Sequence, residues 1–194
     1  MNKLSRENLY SLEEYAKLRK DFRARVMEHK KDRQLPIGPN ATLYFEDALT
    51  MQYQVQEMLR IERIFEAEGI QEELDAYNPL IPDGSNWKAT FMMEYPEPEE
   101  RRQRLAGLIG IEDKVWVQVA DFSRVYAIAD EDLEREDAEK TSSVHFLRFE
   151  LSPEMAQAVR AGAAISAGIE HPNYTYSVDP VAGNLRDSLA ADLD

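Results

Sequence analysis

The sequence predicts an α+β fold, a mainly antiparallel β-sheet packed with two long N-terminal helices and short connecting helices. Three observations carry this expectation. The first third of the chain holds two stretches with apolar residues at helical spacing. The remainder is dominated by short runs rich in β-branched and aromatic residues, separated by Gly, Pro, Asn and Asp. The 43% hydrophobic content of the 194 residues suffices for one core. The expected organisation is a single domain over residues 1–176 followed by an acidic, flexible tail at 177–194.

Taken in order, Ser11 and Glu14 form a capping-box pattern, and Tyr15, Leu18, Phe22 and Val26 then recur at helical spacing to about Arg33. Gln34 to Glu46 reads as two short strands around a turn containing Gly38 and Pro39. From Asp47 to Glu68 there is neither Gly nor Pro, so the second helix should run through to a stop at Gly69. A short helix is expected in 71–76. The prolines and the Asp-Gly of 77–84 make a fixed loop, and strand 88–95 and helix 99–108 follow. Val115, Val117 and Val119 alternate onto one face of a hairpin whose return strand is 124–129. An acidic exposed stretch, 130–140, precedes a strand at 143–151, a helix from Ser152-Pro153, and a last strand at 163–170.

Charge and composition exclude several functions. Without cysteine, this chain alone supplies no thiolate nucleophile, disulfide, Fe–S cluster or cysteine zinc site. A net charge of -14 opposes general affinity for nucleic acid. The charge is uneven, since residues 1–35 hold 10 Lys/Arg against 6 Asp/Glu, which attaches a mildly basic helix to an acidic body. No apolar signal segment and no run of about 18 apolar residues occurs, which leads to the expectation of a cytoplasmic protein with no membrane association. Phosphate-binding glycine loops, nucleophile elbows and helical zinc motifs do not occur in the sequence.

Three polar residues point toward apolar faces. At about 100° per residue, Met51, Val55, Met58 and Phe65 share one helix face with Glu62 in their midst. A carboxylate so placed needs an arginine, a backbone N–H or a functional partner. His145 shares a strand face with Leu147 and Phe149, and His171 with Ile165, Ala167 and Ile169. If these two strands are antiparallel neighbours, the imidazoles approach each other. With Glu62 they would then form a 2-His-carboxylate set suited to iron or manganese. If the strands are parallel, the rings lie at opposite ends, and each histidine is a hydrogen-bonded core residue. His29 reads as structural.

The segments QVQEMLRIERIF (Gln54 to Phe65), QEELDAYNPLIPDG (Gln71 to Gly84), EKTSSVHFLRF (Glu139 to Phe149) and GIEHPNY (Gly168 to Tyr174) resemble a bacterial family catalogued as domain of unknown function 3501 (DUF3501). The resemblance covers residues 1 to about 176. It implies a setting in peroxide or oxygen stress, because members of the family are often encoded beside rubrerythrin-like di-iron proteins and Fe–S oxidoreductases. It brings no catalytic residues. Two functions are therefore expected: an accessory or binding partner of such a redox system, or a metal-dependent redox enzyme using Glu62, His145 and His171.

Overall fold

Ser11 opens the first helix as its sequence pattern predicts. In the computed structural model, which describes residues 3–129, 131 and 140–194, α1 spans Leu12–Lys31. The Ser11 hydroxyl accepts from the Glu14 N–H, and the Glu14 carboxylate accepts from the Ser11 N–H. Such a reciprocal cap is worth about 1 kcal/mol. Tyr15, Phe22 and Val26 are buried, whereas Leu18 stays exposed. Strands β1 (Gln34–Ile37) and β2 (Ala41–Phe45) then form the expected antiparallel pair.

The second helix is shorter than its composition suggests. α2 covers Ala48–Glu62, and a separate helix, α3, covers Ala67–Tyr77 with Gly69 inside it. The break is a left-handed residue, Arg63, at φ 56°. The N–H of Ile64 reaches back to the Leu59 carbonyl at 2.9 Å, and the two side chains join one apolar cluster. This is a Schellman termination, with its accompanying apolar contact, built on a residue that carries a Cβ. Because glycine is absent from the left-handed position, the helix reads as continuous in sequence.

These helices do not cover the sheet. α1 packs on α2, and α2 on α3. Their buried residues form one cluster around Tyr15, Phe22 and Val26 and another around Val55, Leu59 and Leu74. The main core contains no residue from any of the three helices.

That core lies between two antiparallel sheets. Strands β3 (Asn86–Met93), β4 (Val115–Val119), β5 (Val125–Tyr126), β6 (Ile128–Ala129), β7 (Val144–Glu150), β8 (Ile165–His171) and β9 (Tyr174–Val178) complete them. The strand orders are β1-β2-β3-β7-β6 and β5-β4-β8-β9. The expected hairpin forms, with Trp116 opposite Tyr126, but it is short. At Ala127 the chain crosses to the other sheet, where β6 pairs with β7. Alternating residues face inward, among them Val115, Val117 and Val119 from β4, Phe91 from β3 and Phe149 from β7. Helix α4 (Pro98–Ala106) contributes Leu105 to the core, and α5 (Pro153–Arg160) contributes Ala156 and Val159.

The C-terminal segment expected to be a flexible tail belongs to this core. Residues 177–178 finish β9, and α6 spans Gly183–Ala190. Val181, Leu185, Leu189 and Leu193 are buried there, and the indole N–H of Trp87 donates to the Leu189 carbonyl at 3.0 Å. Leu185 and Leu189, four residues apart, place one apolar stripe on a single helical face. Of the acidic stretch 130–140, residues 130 and 132–139 lie outside the described residues. Among the described residues, no helix is long and apolar enough to cross a membrane.

Candidate functional site

The structure separates the three residues that the sequence singles out. Glu62 is the last residue of α2 and is exposed, and Phe65, assigned to the same buried face, is 70% exposed. The buried line of α2 is Met51, Val55 and Leu59, spaced by four. Glu62 shares the helical phase of Met51 and Val55 but is exposed on the last turn of α2, and Phe65 lies beyond the Arg63 break. The carboxylate that α2 does hold against its neighbour is Glu57. It accepts from the Tyr15 hydroxyl (2.7 Å), from Nε and Nη2 of Arg19 (2.8 and 3.0 Å) and from Nη2 of Arg60 (3.1 Å). The Arg19 bond is the main reason that Glu57 is held down to about 2. This is the arginine partner anticipated for an inward carboxylate, one turn and a half earlier in the helix.

His145 and His171 lie in different sheets. β7 pairs with β3 and β6, whereas β8 pairs with β4 and β9, so the question of parallel or antiparallel neighbours does not arise. Both rings do face apolar interior, as strand parity predicts. His145 is fully buried beside the Phe91 ring, and its Nε2 lies 2.9 Å from Thr141 Oγ1 and 3.1 Å from the Ser142 carbonyl. A carbonyl only accepts, so this nitrogen carries the proton. The carboxylate that accompanies it is Glu112, from the 3-10 turn Ile111–Lys114, at 3.7 Å. No periodicity marks that turn in the sequence.

His171 is occupied at both ring nitrogens. Nδ1 accepts from the Asn173 N–H and Nε2 donates to the Ile109 carbonyl, each at 3.2 Å. In this tautomer the one lone pair, on Nδ1, is taken by Asn173, and Nε2 carries the proton. Among the described residues, no group of three or more His, Cys, Asp or Glu side chains is placed to hold a metal ion. His29 is structural as expected, its Nε2 lying 2.5 Å from Asp47 Oδ2.

A different feature stands out at the corner where α2 ends and α3 begins. Ile61 is 57% exposed beside the exposed Phe65. Between Phe65 and the N-terminal strap runs a groove of about 270 Å³, lined by Leu9, Leu12, Leu59, Ile64 and Ile70 as well as Phe65. The strap is pinned by polar bonds. Leu4 and the side chain of Asn78 exchange two hydrogen bonds (2.8 and 2.9 Å), and the Gln56 amide bonds both the N–H and the carbonyl of Tyr10. The left-handed Arg63 turns the chain so that Ile64 faces inward while Phe65 projects. Adjoining large apolar side chains on a surface otherwise dominated by charge are characteristic of interaction sites.

Comparison with known proteins places the chain without assigning it a reaction. No curated protein matches it. A crystal structure of a novel protein of unknown function from Burkholderia pseudomallei K96243 is 53% identical, with 100% of each chain covered and a TM-score of 0.94. The family model for proteins of unknown function (DUF3501) matches residues 3–193, and so includes the C-terminal segment that the sequence resemblance left out. With nearly its whole length matched, the chain belongs to the DUF3501 family.

Proposed function

We propose that this protein is a binding protein that acts as an accessory in a bacterial redox system, docking on its partner through the α2–α3 corner. The observation that carries the reading is the exposure of Phe65 at an apolar groove, with Ile61 also exposed at the end of α2. Protein interfaces concentrate their energy in a few aromatic anchors near such grooves. The redox setting rests on the family resemblance, which points to a rubrerythrin-like di-iron protein and an Fe–S oxidoreductase as the partners to be tried. A cysteine-free chain suits this division of labour, since the thiolates of an Fe–S centre would reside in the partner. The alternative, an iron or manganese enzyme built on Glu62, His145 and His171, draws no support from an exposed Glu62 and a His171 whose ring nitrogens are both occupied.

The test is pairwise binding of the purified chain to each candidate partner, followed by calorimetry. A complex that Phe65→Ser weakens by at least about thirtyfold, the expected cost of losing an aromatic anchor, supports the reading. Absence of a complex with either partner overturns the accessory role. A complex that Phe65→Ser leaves intact overturns the assignment of the corner.

A further inference from the structure

Sharing no lining residue with the α2–α3 groove, a cleft of about 490 Å³ opens where the β1–β2 turn, the end of α4 and the β8–β9 turn meet. Its volume falls within the range of small-molecule sites. The walls are tightly held. Tyr174 is buried, and its hydroxyl donates to the Ile37 carbonyl at 2.7 Å while accepting from the Asn40 N–H at 2.9 Å. The Tyr176 ring packs against it with centroids 4.8 Å apart. Gly38, at φ 72°, sits so close that a Cβ there would lie 2.6 Å from the Tyr176 ring. One side of that ring is therefore covered by backbone, while the residue remains 45% exposed.

The polar groups around the cleft are unevenly satisfied. Asn40 and Asn173 are fixed by donating their amide N–H groups to the carbonyls of Glu94 (2.9 Å) and Gly107 (2.7 Å). Among the described residues, each Oδ1 is left as an acceptor without a protein donor. Tyr95 is only 6% exposed, yet among the described residues its hydroxyl has no hydrogen-bond partner, and it is not sealed away from the cleft it lines. A buried phenol ordinarily finds a partner. Arg104 and Glu100 both stand close enough for their charges to act on that hydroxyl, and among the described residues the one side-chain bond of Arg104 is a long contact from Nε to Glu100, at 3.4 Å. Among the described residues, Arg104 is also the sole charged one lining the cleft, on a chain whose net charge is -14.

We propose that this cleft is a binding site for a small planar aromatic acid. The carboxylate is received by the Arg104 guanidinium and the Tyr95 hydroxyl, and the ring lies against Tyr176. No carboxylate is among the described residues lining the cleft, Glu100 being the acidic partner from which an incoming carboxylate takes Arg104, and the single arginine selects one negative group over several. The fixed Oδ1 atoms of Asn40 and Asn173 offer acceptors to ring hydroxyl or N–H substituents. This site lies apart from the α2–α3 corner and does not depend on the docking proposal.

The experiment is titration of the full chain with 2-naphthoate, followed by ligand-observed NMR and calorimetry, with 2-naphthamide and cyclohexanecarboxylate as controls. Saturable binding of 2-naphthoate is expected, with each control weaker by about tenfold or more, as for loss of a charged or stacking contact. Arg104→Gln and Tyr95→Phe, neither of which removes core volume, should each weaken 2-naphthoate by a similar factor. No saturable binding of 2-naphthoate overturns the proposal. Equal binding of the amide, or binding unchanged in both variants, overturns it as well.

Discussion

Arg33 offers the sharpest test of how the C-terminal segment is held. Its side chain is 2% exposed and lies within bonding reach of groups on five residues. Nη2 meets Asp192 Oδ2 at 2.6 Å and the Glu46 carbonyl at 3.0 Å. Nη1 reaches Ser188 Oγ at 3.0 Å, and Nε donates to the Phe45 carbonyl at 3.1 Å and lies 3.4 Å from Asp47 Oδ2. One guanidinium thus ties α6 and its following turn to the end of β2 and the cap of α2. Replacing it with methionine leaves Asp192, 4% exposed, without its cation. Breaking one side of a buried pair costs about 3–5 kcal/mol. For a chain of this size that is a fall in Tm of roughly 6–20 °C.

The partner carboxylate gives the pH dependence. Burial pushes Asp192 up to about 6, against the opposing pull of Arg33. Its folded pKa is thus above its ordinary value of 3.8. The corresponding stability is fully present below the ordinary value and is lost as pH rises through about 6. At about 1.4 kcal/mol per pKa unit the loss is roughly 3 kcal/mol. Urea unfolding between pH 4 and 7 should show this fall in the wild type and lack it in Asp192→Asn. The double variant Arg33→Met/Asp192→Leu should recover much of what Arg33→Met loses, because it removes both charges. If Arg33→Met unfolds within about 1 kcal/mol of the wild type, the buried clamp is not what holds this segment.

Two further changes probe other parts of the fold. Glu57→Gln removes the charged acceptor of Arg19, Tyr15 and Arg60. Since Glu57 is held down to about 2, its stabilisation is present above the ordinary 4.5 and lost as pH falls through about 2. The variant should lose about 1–3 kcal/mol at neutral pH and show a flatter acid limb, read by circular dichroism. Deleting residues 179–194 exposes Trp87 and removes Leu185 and Leu189 from the core. The truncated chain should be insoluble or lose its near-ultraviolet dichroism, and a folded, monomeric product would contradict the packing described for α6.

The fold class was legible because periodicity and turn chemistry are local. Ser11 and Glu14 mark the start of α1, and the alternating valines mark β4 as a strand whose valine face is buried. Strand parity likewise turned His145 and His171 inward, and cysteine content excluded a thiolate site on this chain. What strand a histidine sits beside is a long-range choice, and here the two were divided between sheets. The end of α2 was hidden because Arg63 adopts a left-handed conformation that composition assigns to glycine, and with it went the placement of Phe65 and the exposure of Glu62 on the last turn. The docking of α6 was equally hidden, since two leucines mean little until Trp87 and Arg33, about a hundred or more residues earlier, supply the surface that receives them. Local pattern by itself determined the elements and which face of each is apolar. Only the tertiary structure decided which faces meet, because burial and ion pairing join residues that the chain keeps far apart.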